Sequence, residues 1–291
     1  MKSILITGAN SYIGESFAAY IARWPESYRV ITIDTRAANW ESASFEGYDT
    51  VLHVAGIAHR RRPPRTQEET DLYYGVNAGL AVLAAQKAKN DGVRQFIFLS
   101  TMNVYGDKAA IGHPKTVTKG TPEAPESVYG RSKLKGEIGV RALADASFAV
   151  CVLRPPMVYG KGCKGNYNAL SVWAKKLPFF PDARNRRSMI YIGNLCHFIK
   201  TVIDERADGL RLPQNAELVN TSDMVRQIAL AHGKKLRLSR ALWWPLRLLP
   251  TGLVAKVFGD YVYEADEDRV SAFTFEESVL LSERAEEGAS L

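Results

Sequence analysis

Short apolar runs alternate with longer stretches of helical periodicity through the first two thirds of the chain. Ser3 to Thr7 is one such run, closing on Gly8; Tyr28 to Ile33, Asp49 to Gly56, Val93 to Ser100 and Phe148 to Leu153 repeat it. Runs of this length without strict apolar–polar alternation suit strands buried on both faces of a parallel sheet. Between them, residues 12–23, 66–89 and 127–144 read as helices. Strands alternating with helices predict an α/β fold, a doubly wound parallel sheet with helices on both faces. A further short strand is expected from Ser188 to Ile192.

The last third is less regular. Asn220 reads as the cap of an amphipathic helix over 221–232, and Lys235 to Ser239 as a strand. Leu242 to Phe258 is apolar, basic and rich in tryptophan, with Pro245 and Pro250 interrupting it. Those prolines break the face that a helix lying on a membrane would need, so a pair of helices packed on a second lobe is the expectation. Ser282 to Leu291 reads as a frayed tail.

Composition narrows the class. With 291 residues the chain is long enough for one large or two smaller domains. No apolar run approaches the ~20 residues that span a bilayer, so no integral membrane segment is expected. Met1-Lys2 leads straight into a strand, which argues against a secretory signal. Cys151, Cys163 and Cys196 are scattered and odd in number. They predict a reducing cytoplasmic setting with no disulfide frame and no metal cluster. The formal charge of +7 suits an anionic ligand. No nucleic-acid motif accompanies it, and no nucleic-acid partner is expected.

Candidate chemistry begins at the first strand–helix junction. Gly8-Ala-Asn-Ser-Tyr-Ile-Gly14 joins a strand to a helix, and its glycines let the backbone approach a pyrophosphate at the helix N-terminus. Asp34 closes the second strand about 20 residues further on, where a carboxylate accepts ribose hydroxyls and repels a 2′-phosphate. Arg36 nearby is the dissenting residue, since it would greet such a phosphate. Val54-Ala-Gly56 puts small residues at a strand end, where a flat cofactor can lie close. Tyr129 and Lys133 share one helix face one turn apart. A free tyrosine, with a pKa of about 10, is a poor base near neutrality. An adjacent ammonium favours the phenolate and equips it to exchange a proton with an alcohol or ketone oxygen.

Taken in order, Thr7 to Gly14, Asp34, His53-Val-Ala-Gly56, Asn77, Ser100-Thr101, Val104-Tyr-Gly106, Tyr129 to Lys133 and Arg154 to Gly160 resemble the extended short-chain dehydrogenase/reductase family. The nucleotide-sugar epimerase branch is the nearest in pattern. Coverage is good to about residue 205 and poor beyond. The resemblance implies a Rossmann-type domain over 1–166 plus 188–205. A smaller, mostly C-terminal α/β substrate lobe would take 167–187 plus 206–281, and the tail 282–291. It implies NAD as cofactor, held by Gly8, Asn10, Ser11, Tyr12, Ile13, Gly14, Asp34, Val54, Ala55, Gly56, Asn77, Ser100, Tyr129, Lys133 and Pro156. Tyr129 would be the acid/base, Lys133 its activator and a ribose ligand, and Thr101 the hydroxyl on the reacting oxygen. Arg187 would hold the diphosphate of a UDP-sugar, and Asn166 is the candidate for a substrate-phosphate or uridine contact. The family's dimer, a four-helix bundle, would use residues 66–89 and 127–144, with Ala78, Ala81, Ala84 and Ala85 for close approach.

The reaction implied is epimerisation at carbon 4 of a UDP-hexose. A 4-ketoreductase of surface-polysaccharide synthesis uses the same residues, and a non-catalytic dinucleotide sensor is the third reading. Dehydration is rejected. The 4,6-dehydratases carry Asp-Glu directly after the threonine, whereas Met102 and Asn103 stand here and neither transfers a proton. Three other departures are informative. Ser11 replaces a middle glycine, the stretch from Thr35 to Tyr48 lacks the Gly-Asp signal of a further strand beside the adenine, and Met157 replaces an asparagine. Arg60 to Arg65 reads as a solvated basic loop, His53 as a satisfied strand histidine, and His59 as a residue near the site mouth.

Overall fold

The computed structural model describes residues 1–58, 62–246, 252–264 and 266–284. The chain divides into two compact units. The first takes residues 1–106, 122–155 and 196–213, and the second takes residues 107–121, 156–195 and 214–291.

In chain order the first half gives β1 (Lys2–Thr7), α1 (Tyr12–Ile21), β2 (Tyr28–Ile33), β3 (Thr50–His53), α2 (Gln67–Tyr74), α3 (Leu80–Asn90) and β4 (Gln95–Leu99). Then come β5 (Lys115–Val117), α4 (Val128–Arg141), β6 (Ala149–Leu153), β7 (Met157–Tyr159), α5 (Asn166–Lys176), β8 (Phe179–Pro181) and β9 (Met189–Tyr191). The helix α6 (Ile192–Glu205) leads into β10 (Gly209–Arg211). The first unit is built on a six-stranded sheet in the order β10-β6-β4-β3-β1-β2, and every pairing is parallel. This is the doubly wound α/β architecture expected from the strand–helix alternation. On one face Leu5, Val51, Phe96, Phe98, Val150 and Val152 meet the alanines of α3 and Val140 of α4 in one apolar cluster. On the other face the buried Gln95 amide donates to Val202 O at 3.0 Å, tying β4 to α6.

Two features of this unit differ from the sequence expectation, and a third agrees with it. Residues 66–89 do not form one helix: α2 and α3 are joined by a π-turn over Gly75–Gly79. Glycine resists regular helix, and the wider turn re-aims Asn77. The alanines proposed for a subunit contact face inward: Ala78 is buried and Ala81, Ala84 and Ala85 are fully so. Leu72, Leu83 and Ile138 are the exposed apolar residues of α2, α3 and α4. The sheet ends at β2. Residues 34–49 hold only a 3-10 turn, Trp40–Ser42, and Trp40 and Phe45 are packed into the core instead of a further strand. That accounts for the absent Gly-Asp signal.

The second unit adds β11 (Gln214–Asn215), α7 (Thr221–Ala231), β12 (Arg237–Ser239), α8 (Arg240–Leu246), α9 (Gly252–Phe258), β13 (Tyr261–Tyr263), β14 (Arg269–Val270) and α10 (Phe275–Glu283). Its sheets are two-stranded parallel pairs, β5 with β13, β7 with β9, β8 with β12 and β11 with β14. Residues 156–166 and 188–195 fall here because β7 pairs with β9, and 206–213 join the first unit because β10 extends the large sheet from β6. Ser282 does not belong to a frayed tail. That residue is buried at the end of α10, and Glu283 accepts from Ser171 Oγ at 2.9 Å. Residues 285–291, like 247–251 of the tryptophan-rich stretch, lie outside the described residues.

Candidate active site

The glycine turn after β1 is shaped for a close approach. Gly8 has φ +117°, and a Cβ there would sit 2.6 Å from Ala55 N, so only glycine fits between the ends of β1 and β3. Asn10 takes the left-handed conformation at φ 62°, which asparagine tolerates. Ser11 is extended, with φ −78° and ψ 127°, so no glycine is needed at its position. Its Oγ instead accepts from Gly14 N at 3.5 Å and caps α1. A glycine turn running into the N-terminus of α1 is a cradle that fits a pyrophosphate.

Asp34 follows β2 and is exposed. Arg36 grips it with Nε at 2.9 Å from one carboxylate oxygen and NH2 at 2.8 Å from the other. These hydrogen bonds hold the Asp34 pKa down, at about 2, so the carboxylate is ionised throughout the physiological range. The two residues that pointed to opposite cofactor preferences are thus one ion pair.

The helix α4 is capped by Ser127, whose Oγ accepts from Gly130 N at 3.2 Å. Tyr129, Lys133 and Glu137 recur every four residues along one of its faces. Lys133 is buried, and its Nζ donates to Leu99 O at 2.9 Å, borders Gly56 and lies 4.8 Å from the centre of the Phe98 ring. Burial lowers its pKa to about 8, against the opposing pull of the Glu137 charge. Glu137 is buried too, and accepts from Arg154 Nε at 3.0 Å and from Ser100 Oγ. Arg154, fully buried, also donates to Glu123 at 2.7 Å and to Tyr105 Oη at 2.5 Å. Burial works against the Arg154 charge, but Glu137 outweighs it and the guanidinium pKa rises.

Thr101 ends β4 and opens the 3-10 turn Met102–Tyr105. Its Oγ1 accepts from Asn103 N at 3.2 Å. That turn presses on α4 beside Tyr129: a Cβ on Gly130 would come within 2.7 Å of Asn103 O. Glycine at this position lets the Thr101 turn and the Tyr129 turn share one small space. Asn77, aimed by the π-turn, uses its whole carboxamide internally. Its Oδ1 accepts from Ile57 N at 2.8 Å, and its Nδ2 donates to Ile57 O at 3.1 Å and to Ser132 Oγ at 2.9 Å. It braces the loop after β3 against α4, rather than offering a free group to a cofactor. Ser100 likewise commits its hydroxyl to Glu137.

His53 is buried, with Nδ1 2.7 Å from Thr7 Oγ1 and Nε2 without a partner, so it is only half satisfied. Burial first, then the Lys133 charge, lowers its pKa to about 3, and it stays neutral. Of the basic loop, Arg62 pairs with Glu69 at 2.8 Å, which fits a solvated loop. His59, Arg60 and Arg61 lie outside the described residues. Pro156, Asn166 and Arg187 belong to the second unit. Pro156 is buried, and Asn166 is exposed at the start of α5. Arg187 is half-buried, donates to Gly259 O at 2.9 Å, and has its pKa pushed down to about 10 by burial. The Glu137–Arg154–Glu123–Tyr105 network escaped the sequence reading. Its signal was present in Glu137, which repeats the four-residue step from Tyr129 to Lys133.

A family model described as NAD dependent epimerase/dehydratase family matches residues 4–212. A UDP-glucose 4-epimerase of Vibrio cholerae is 33% identical over 89% of this chain and 83% of its own length. A relative of Escherichia coli O157:H7, an N-acetyl-alpha-D-glucosaminyl-diphospho-ditrans,octacis-undecaprenol 4-epimerase, is 29% identical over 74% of this chain, which spans only 64% of that protein. The solved UDP-glucuronic acid 4-epimerase of Bacillus cereus in complex with NAD superposes with a TM-score of 0.70 at 17% identity. That superposition covers 96% of this chain and 94% of that one.

Proposed function

Because the chain belongs to the NAD-dependent epimerase/dehydratase family, whose cofactor is NAD, we propose that it epimerises carbon 4 of a UDP-hexose. The observation that supports this reading is the placement of three residues on neighbouring elements of the first unit. Tyr129 and Lys133 lie one turn apart on α4, and the Thr101 turn is pressed against that helix at Gly130. Tyr129 takes the proton of the C4 hydroxyl and returns it, Lys133 favours its phenolate, and Thr101 bonds the reacting oxygen. The Gly8 cradle would hold NAD, which would supply a reversible hydride acceptor for C4. Met102 and Asn103 offer neither acid nor base, which is why epimerisation is favoured over dehydration.

The UDP carrier is preferred to a polyprenyl diphosphate because the relative named for a UDP-sugar shares more of its sequence over more of both chains. Asn166 and Arg187 are proposed to bind the diphosphate of that substrate; a planar guanidinium suits it. We also propose a homodimer through the outer face of α2, α3 and α4, where Leu72, Leu83 and Ile138 are exposed. The reaction is tested by incubating the purified protein with a panel of UDP-hexoses and no added cofactor. Interconversion of C4 epimers without net consumption of NADH supports the epimerase. Stoichiometric oxidation of NADH or NADPH by a keto sugar assigns the 4-ketoreductase instead, and cofactor binding without any sugar turnover assigns the sensor.

A further inference from the structure

The tryptophan-rich stretch forms the expected pair of helices, but they are not equally buried. In the second unit α9 buries Val257 and Phe258, but α8 contributes no buried residue. Trp243 and Leu246 are half-buried, and the Trp243 ring lies 5.2 Å from that of Phe258. Trp244 is 68% exposed and Leu242 44%. α8 lies against β8, whose Phe179 is exposed, as is Leu177 at the end of α5 two residues before it. The edge of this apolar patch is cationic. Arg237 is in register with Phe179, and Lys234 Nζ donates to Lys175 O at 2.8 Å, which places Lys176 next to it. Two acidic residues reach this edge: Asp182 pairs with Arg240 at 3.4 Å and Glu283 with Lys175 at 3.6 Å. Between Asp223 and Asp260 the sequence holds seven lysines and arginines and no acidic residue.

We propose that this face docks on an anionic lipid bilayer, with α8 in the headgroup layer. Trp244 and Leu242 enter the acyl boundary, and Lys176, Lys234 and Arg237 lie on lipid phosphates. Exposed aromatic and aliphatic side chains rimmed by cations are the composition that partitions to a membrane interface, and each basic residue near an anionic surface strengthens it. A second copy is a poor occupant, because a two-fold contact through this patch sets like charges against each other. Among the described residues no helix is long and apolar enough to cross a membrane, so the contact lies on the surface. The proposal stands apart from the reaction assigned above.

The test is co-sedimentation of the full chain with vesicles of phosphatidylethanolamine and phosphatidylglycerol, beside vesicles of phosphatidylcholine alone. Binding to the anionic vesicles is expected to exceed binding to the neutral ones by about tenfold or more and to fall several-fold in high salt. The double variant Trp244→Ser/Leu242→Ser should lose most of that binding while its thermal midpoint stays unchanged, since both side chains are exposed. Equal binding to both vesicle types, or undiminished binding by the double variant, would overturn the proposal. So would self-association in solution that the double variant abolishes, which would assign the face to a second copy.

Discussion

Lys133 meets two opposing demands. Its burial favours the neutral amine, yet its proposed work on Tyr129 needs the ammonium. Glu137, one turn further along α4, supplies the charge that resists its deprotonation. The three proposed catalytic residues therefore separate in a kinetic test. Tyr129→Phe keeps the ring and its packing and should slow turnover ~10²–10⁴-fold with NAD affinity little changed. Lys133→Met should lose both rate and NAD affinity, because the ammonium is proposed to touch the ribose as well. Thr101→Val should slow turnover and spare NAD. Steady-state rates and cofactor titration of the three variants read this out; near-normal turnover by Tyr129→Phe would remove its role. Asp34 and Arg36 bear on the same scale: the carboxylate is ionised and held in place, which suits the preference for NAD over its 2′-phosphate.

At the scale of elements, α4 joins the site to the fold. Arg154 at the end of β6 holds Glu137 of α4, Tyr105 of the Thr101 turn and Glu123 together. Glu137→Gln leaves the buried Arg154 short of its main counter-charge and should cost about 3–5 kcal/mol of stability, measured by urea unfolding. A loss within experimental error would show that the network does not lock these elements. The sequence made the strands legible because buried parallel strands are continuous apolar runs, as β4 and β6 are. It made the Tyr129–Lys133 pair legible because a four-residue step is a helix face. The π-turn over Gly75–Gly79 was not legible: two glycines weaken a helix without naming the wider turn, and the bonds of Asn77 to Ile57 and Ser132 that go with it are distant in sequence. Nor could periodicity tell which side of α3 meets the sheet, and the alanines turned out to be the inner side. In the second unit, β5, β11 and β14 are too short to leave a pattern at all.

For the whole molecule, the outer face of α2, α3 and α4 leaves Leu83 and Ile138 more than half exposed, at 55% and 64%. If that face closes a homodimer, Leu83→Glu/Ile138→Glu should convert it to a monomer by light scattering at micromolar concentration. A wild-type monomer under the same conditions would remove the dimer. The central claim is that one molecule of sugar is oxidised and re-reduced at the same carbon without exchanging its hydride with the medium. It is tested most directly with a UDP-hexose carrying deuterium at C4, incubated with the purified protein and followed by NMR. The account predicts a C4 epimer that keeps the deuterium on C4, formed with no net change in nicotinamide absorbance. An epimer that has lost the deuterium, or net oxidation of NADH or NADPH by a 4-keto sugar in place of epimerisation, would contradict it.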